Sequence, residues 1–118
     1  MDFMKCLWDS DDVAHVTLFV KDYPVEGVTL EDLKPMIQDI RENAKEMIIK
    51  ADLAGSGIVN IERFRLIVKI VREVVDYTRD DNLLRQIQFV NTGFVFRMLY
   101  QPVSLAIPKY FRDMVVFL

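Results

Sequence analysis

Apolar and polar positions alternate along this chain with two periods, and their order predicts strands and helices in turn. Val13 to Lys21 (VAHVTLFVK) is β-branched and aromatic, lies between an acidic cluster and Asp22-Tyr23-Pro24, and reads as a strand. From Leu33 the period changes. Leu33, Met36, Ile37, Ile40 and Ala44 recur at helical spacing, with Lys34, Gln38, Asp39, Arg41 and Glu42 between them. Asp32 is the expected N-cap of this helix, which puts Pro35 in the first turn, and the helix is expected to end by Lys45. Residues 47–53 form an apolar run interrupted by Lys50 and Asp52, read as a central strand covered on both faces.

Gly55-Ser56-Gly57 then turns the chain into a long amphipathic segment with Asn60 as its expected N-cap and Glu62 in its first turn. Phe64, Ile67, Val68, Val71, Val74 and Val75 fall on one stripe of that helix, opposite Arg65, Lys69 and Arg72. Asp80-Asp81-Asn82 ends it, and residues 83–91 give the next strand, with Ile87, Phe89 and Val90 as its core. The stretch from Met47 to Asn91 thus has the order of a strand-helix-strand crossover. A third helix is expected from Phe94 to Tyr100, broken by Pro102; a short fourth runs from Pro108 to Met114, and residues 115–118 close as a strand. The expectation is one α/β domain over residues 1–118, β-α-β-α-β-α-β, with a mainly parallel four-stranded sheet flanked by helices. Residues 1–12, which mix Met, Phe, Leu and Trp with an acidic turn at Asp9 to Asp12, are read as an N-terminal extension. Ile49 and Val71 are assigned to the core.

Composition narrows the function more than it defines it. A chain of 118 residues is long enough to build one core unaided by metal or disulfide. Its apolar fraction of 52% is slightly above the usual value of about 45–50%, which hints at apolar surface left for a partner. A net charge of −3 gives no electrostatic footprint for phosphate, so nucleic acid is not an expected partner. Cys6 is the only cysteine and no apolar run is long enough to span a membrane, so the expectation is an intracellular, cytoplasmic chain without a disulfide.

Catalytic signals are weak. His15 is the sole histidine and sits among alternating apolar residues of a strand, as a packed or edge residue does; with one Cys it builds no metal cluster, and no cofactor is expected. Asp11/Asp12, Glu31/Asp32 and Asp80/Asp81 fall in turns, where capping and solvation account for them. Ser10, Ser56 and Ser104 lack a nucleophile-elbow context, and the Gly55-Ser56-Gly57 turn matches neither phosphate-loop pattern. The reading is therefore a non-enzymatic protein-interaction or structural module, such as a small subunit of a larger assembly.

From Ala51 onward the order DLAG, a loop, a long helix, IQFVN, then FVFRMLYQPV and a short helix leading to VVFL resembles the C-terminal half of CRAL-TRIO lipid-transfer domains. Those domains have a D-L-x-G turn, an I-x-x-x-N strand end and an F…Pro helix pair at similar spacing. The strand-helix superhelix of STAS domains is similar too, although Asn60-Ile61 stand where many bacterial STAS domains carry a phosphorylatable serine. The resemblance implies an α/β fold and lipid as an alternative ligand to protein. The segment before DLAG is shorter than in CRAL-TRIO proteins, so a full lipid cavity is not expected.

The third helix carries the interaction reading. With Val95, Met98 and Leu99 as one buried stripe, at least some of Phe94, Phe96, Arg97 and Tyr100 must point elsewhere, and these four with Tyr110 are the expected contact residues for a protein or an acyl chain.

Overall fold

The computed structural model describes residues 2–56 and 61–118. The expected N-cap Asn60 and the second glycine of the Gly55-Ser56-Gly57 turn lie outside the described residues. Along the chain run β1 (Met4–Trp8), β2 (Val13–Phe19), α1 (Leu30–Asn43), β3 (Glu46–Asp52), α2 (Ile61–Thr78), β4 (Leu84–Val90), α3 (Phe94–Ser104), α4 (Lys109–Met114) and β5 (Val115–Phe117).

The sheet is mixed and has five strands in the order β1-β2-β3-β4-β5. β2 to β5 are parallel to their neighbours, as expected, but β1 pairs antiparallel with β2, from Met4 opposite Leu18 to Trp8 opposite Ala14. The segment read as an extension is thus an edge strand. Its alternation was obscured because Leu7 and Trp8 are both exposed on the free edge.

Strand order fixes the layering. Each parallel strand neighbours its predecessor, and right-handed crossovers between such neighbours put every connecting helix on the same side. The core follows: Ala14, Val16 and Leu18 of β2, Met47, Ile49 and Ala51 of β3, and Ile87 and Phe89 of β4 pack with Leu33, Ile37 and Ile40 of α1, the α2 stripe, Phe96 and Tyr100 of α3, and Phe111 of α4. Among the described residues no helix lies over the other sheet face. His15, Thr17, Lys50, Asp52, Gln86 and Gln88 lie there half-buried, and Ile48 is buried between His15 and Gln86, its partners in register. β3 is therefore central but covered by helices on one face only, and Lys50 and Asp52, the interruptions in its apolar run, mark the uncovered side.

α1 begins earlier than the sequence reading put it. Thr29 is the N-cap: its hydroxyl accepts from the Asp32 N–H at 3.3 Å while the Asp32 carboxylate accepts from the Thr29 N–H at 3.2 Å, a reciprocal capping box. Pro35 consequently lies beyond the first turn, on the exposed side, and has no N–H for the Glu31 carbonyl. At the other end Arg41 stacks over Tyr77 of α2, 4.5 Å from the ring centroid, and its Nε lies 2.6 Å from Asp81, which ties the two crossover helices together.

Ile49 and Val71 are both buried, at 3% and 1% exposure. Val71→Asp would force an unpaired carboxylate into the helix-sheet seam. It is expected to destabilise the chain by more than about 4 kcal/mol, a large part of the roughly 5–15 kcal/mol that holds a domain folded. Urea unfolding measures this, and an unchanged midpoint would show that the α2 stripe is misassigned.

Candidate functional site

α3 is where apolar side chains and solvent meet most extensively. It starts at Gly93 in extended conformation and runs through Pro102 to Ser104, so the proline does not break it where the sequence suggested. Near the helix end a missing N–H removes a single intrahelical bond, and Pro102 itself is exposed.

The inward face is aromatic. Phe96 packs edge-on against Phe64 of α2 with ring centroids 5.0 Å apart and lies 5.2 Å from Phe89 of β4; Tyr100 lies 5.9 Å from Phe89 and meets Phe117 of β5 edge-on at 5.0 Å. Burial pushes the Tyr100 hydroxyl above its ordinary range, against the lowering effect of nearby Arg112. Phe96 and Tyr100 are 6% and 9% exposed, so these two members of the expected contact surface are core residues.

The outward face is aliphatic and aromatic at once. Phe94, Val95 and Met98 are 77%, 54% and 57% exposed, and Leu105, just past the helix, is 81% exposed. The sequence reading had Val95 and Met98 facing the core; the helix is turned the other way. A longer window carries the missing signal, because Phe96, Tyr100, Val103 and Ile107 form one stripe that continues past Pro102, and the last two are half-buried and buried.

Of the remaining predicted residues, Arg97 is exposed with its guanidinium 5.8 Å from the Phe117 ring centroid. Tyr110 stands apart from the outward face. Its hydroxyl donates to the Asp76 carboxylate of α2 and its ring carries Arg79 at 4.0 Å; the hydrogen bond to Asp76 and then burial raise its pKa. The structure therefore keeps Phe94 and Arg97 at the surface, adds Val95, Met98 and Leu105, and sends Phe96, Tyr100 and Tyr110 to structural contacts.

The sequence around α3 carries a small positive excess. Residues 92–118 carry Arg97, Lys109 and Arg112 against Asp113 alone, whereas residues 1–91 hold twelve basic and seventeen acidic residues. The exposed apolar helix thus lies in a stretch of net positive charge, as do residues 63–72, which hold Arg63, Arg65, Lys69 and Arg72 and no acid.

Cavities contribute less. A void of about 20 Å³ between sheet and helices, lined by Val16, Leu33, Met47 and Val74, is too small for an acyl chain. A larger cleft of about 560 Å³ opens between the β2–α1 connection and α2, with Tyr23, Leu66 and Ile70 at its base and Glu26, Glu73 and Asp76 on its rim. Elsewhere His15 Nε2 lies 2.9 Å from Asp9 Oδ2, a contact that, with N–H donors from Val13 and Asp11, holds the Asp9 carboxyl below its usual range. Burial, with Asp39 second, raises the Cys6 thiol above its ordinary value. Among the described residues no cluster of three His, Cys, Asp or Glu is arranged to hold a metal ion, and no helix is long and apolar enough to cross a membrane.

No family model matches the chain, and no curated protein does. Among solved structures the chain is similar to Sfh5, a Sec14-like CRAL-TRIO protein, with a TM-score of 0.57 at 14% sequence identity. The match covers 98% of this chain and 46% of Sfh5, so the chain spans about half the length of that neighbour. The likeness is one of fold, and it agrees with a partial CRAL-TRIO-like resemblance.

The two faces of α3 predict opposite responses to mutation. Phe96→Ala is expected to cost about 3–5 kcal/mol, as a buried aromatic truncation does. Phe94→Ser should stay within about 0.5 kcal/mol of the parent. Equal losses for both variants in urea unfolding would contradict the assignment.

Proposed function

We propose that this chain is a non-enzymatic binding module that works at an anionic lipid surface, with the outward face of α3 as the element that enters it. The observation that carries the reading is the exposure of Phe94, Val95, Met98 and Leu105 with the exposed Arg97 on the same helix. A surface helix that presents large apolar residues beside Arg and Lys gains both from burial at the headgroup boundary and from attraction to anionic lipid. Arg97 extends this: its long side chain leaves the charge near the headgroups while the apolar neighbours go deeper.

A CRAL-TRIO-like fold supports the same reading, since lipid is the ligand class that the sequence resemblance implies. The acyl chain is not expected inside the packing described here, given the small void between sheet and helices. Contact at the surface is the form of lipid binding that these contacts favour. A protein partner would also suit an exposed apolar face; the exposed Arg97 among these side chains is what favours an anionic lipid surface over protein.

Vesicle co-sedimentation tests this. The parent chain is expected to pellet with phosphatidylserine-rich vesicles more than with phosphatidylcholine vesicles, and to be released by salt. Phe94→Ser/Met98→Ser should weaken that binding by at least about tenfold, as the loss of two inserted apolar side chains requires, with an unchanged melting profile. Absence of vesicle binding by the parent, or full retention by the double variant, would overturn the proposal.

A further inference from the structure

We infer that the free edge of β1 is an interface for a second copy of this chain, formed by antiparallel pairing of the two β1 strands with Leu7 opposite Leu7. The backbone bonds define that edge. Phe19 N–H donates to the Phe3 carbonyl at 2.7 Å and Asp9 N–H to the Val13 carbonyl at 3.1 Å, so in the unbroken register between them the odd-numbered residues of β1 hydrogen-bond to β2. The N–H and C=O groups of Met4, Cys6 and Trp8 therefore point away from the sheet.

Edges of this kind are usually blunted. β5, at the opposite end of the sheet, is only three residues long. β1 has five residues with no proline and no bulge in its pairing to β2, and it exposes Leu7 and Trp8 at 55% and 43%. Among the described residues of β1, the single lysine Lys5 is the one protective device of the kinds known for edges.

Complementarity selects the occupant and the register. With Leu7 on the two-fold axis, Lys5 of each copy stands directly opposite Asp9 of the other, so both charged positions meet an opposite charge. Asp9 lies on the same sheet face as Lys5 and Leu7, as its contact with His15 requires. The two Leu7 side chains meet in a non-hydrogen-bonded pair, where cross-strand side chains are closest. On the helix side Cys6 faces Trp8 of the other copy, and those two pairs exchange about four new backbone hydrogen bonds. The two-fold axis is perpendicular to the sheet, so both sets of helices lie on one side of the merged sheet. α3, next to the far edge, stays free in both copies. The inference is thus independent of the lipid reading and fails or stands separately from it.

Sedimentation equilibrium on the whole chain, with three variants, tests the inference. The parent is expected to be a dimer in solution. Cys6→Pro removes an outward N–H and no bond to β2, so it should yield a monomer with a circular dichroism spectrum like the parent's. Lys5→Glu, at an exposed position that carries no internal contact in the core, should raise the dimer dissociation constant by about tenfold by setting like charges opposite each other. Cys6→Ser/Leu7→Cys should form an intermolecular disulfide on mild oxidation. A monomeric parent well above micromolar concentration, a dimer indifferent to Lys5→Glu, or no cross-link through position 7 would overturn it; should Cys6→Pro fail to fold, the other two variants still decide.

Discussion

The rotation of α3 about its own axis is set by aromatic contact, and much else in the molecule depends on that setting. Phe96 and Tyr100 are one helical turn apart, and each finds rings from other elements: Phe64 on α2, Phe89 on β4 and Phe117 on β5. Aromatic pairs of this geometry contribute about 0.5–1.5 kcal/mol each beyond their burial, so several acting together hold one face of a short helix against the sheet. The same contacts bring in β5, whose Phe117 stacks on Phe89 with centroids 5.8 Å apart. Once Phe96 and Tyr100 are inside, the helical period sends Phe94, Val95 and Met98 outward. The exposed apolar face is a consequence of the core, not a local accident of composition.

A second constraint is the sequential strand order. Because neighbours in the sheet are neighbours in the chain, all helices fall on one side, and the fold has two layers with one bare sheet face. That face carries polar and charged side chains at alternate positions, which water can solvate, with Ile48 sheltered between its neighbours. Apart from Val25 and Leu118, the large apolar side chains exposed among the described residues lie on or just past α3 and on the free edge of β1. These two are at opposite ends of the sheet, so one can meet a lipid surface while the other meets a second copy.

Much of this architecture was legible in the sequence wherever one pattern dominated. The α2 stripe, the buried Ile49 and Val71, and the parallel succession of β2 to β5 each rest on a single period that no alternative register fits as well. Legibility fell where two patterns competed. In α3, Val95-Met98-Leu99 and Phe96-Tyr100 both have helical spacing, and only contacts with Phe64, Phe89 and Phe117 decide between them. The face that sequence reasoning assigned to a partner was accordingly the buried one, while Phe94 and Arg97 lay at the surface under either rotation. β1 was missed because an edge strand with few buried positions leaves little alternation to read. The start of α1 was misplaced because Thr29 and Asp32 both make plausible caps, and they act together.

The orientation of α3 is the claim on which the functional account rests, and thiol reactivity measures it most directly. In a Cys6→Ser background, single cysteines at positions 94, 98, 96 and 100 can be titrated with a water-soluble thiol reagent under native conditions. The account predicts rapid modification at 94 and 98, close to the rate in denaturant, and modification at 96 and 100 that is slower by orders of magnitude and tracks unfolding. Fast reaction at 96 and 100 in folded protein, with protection at 98, would contradict it.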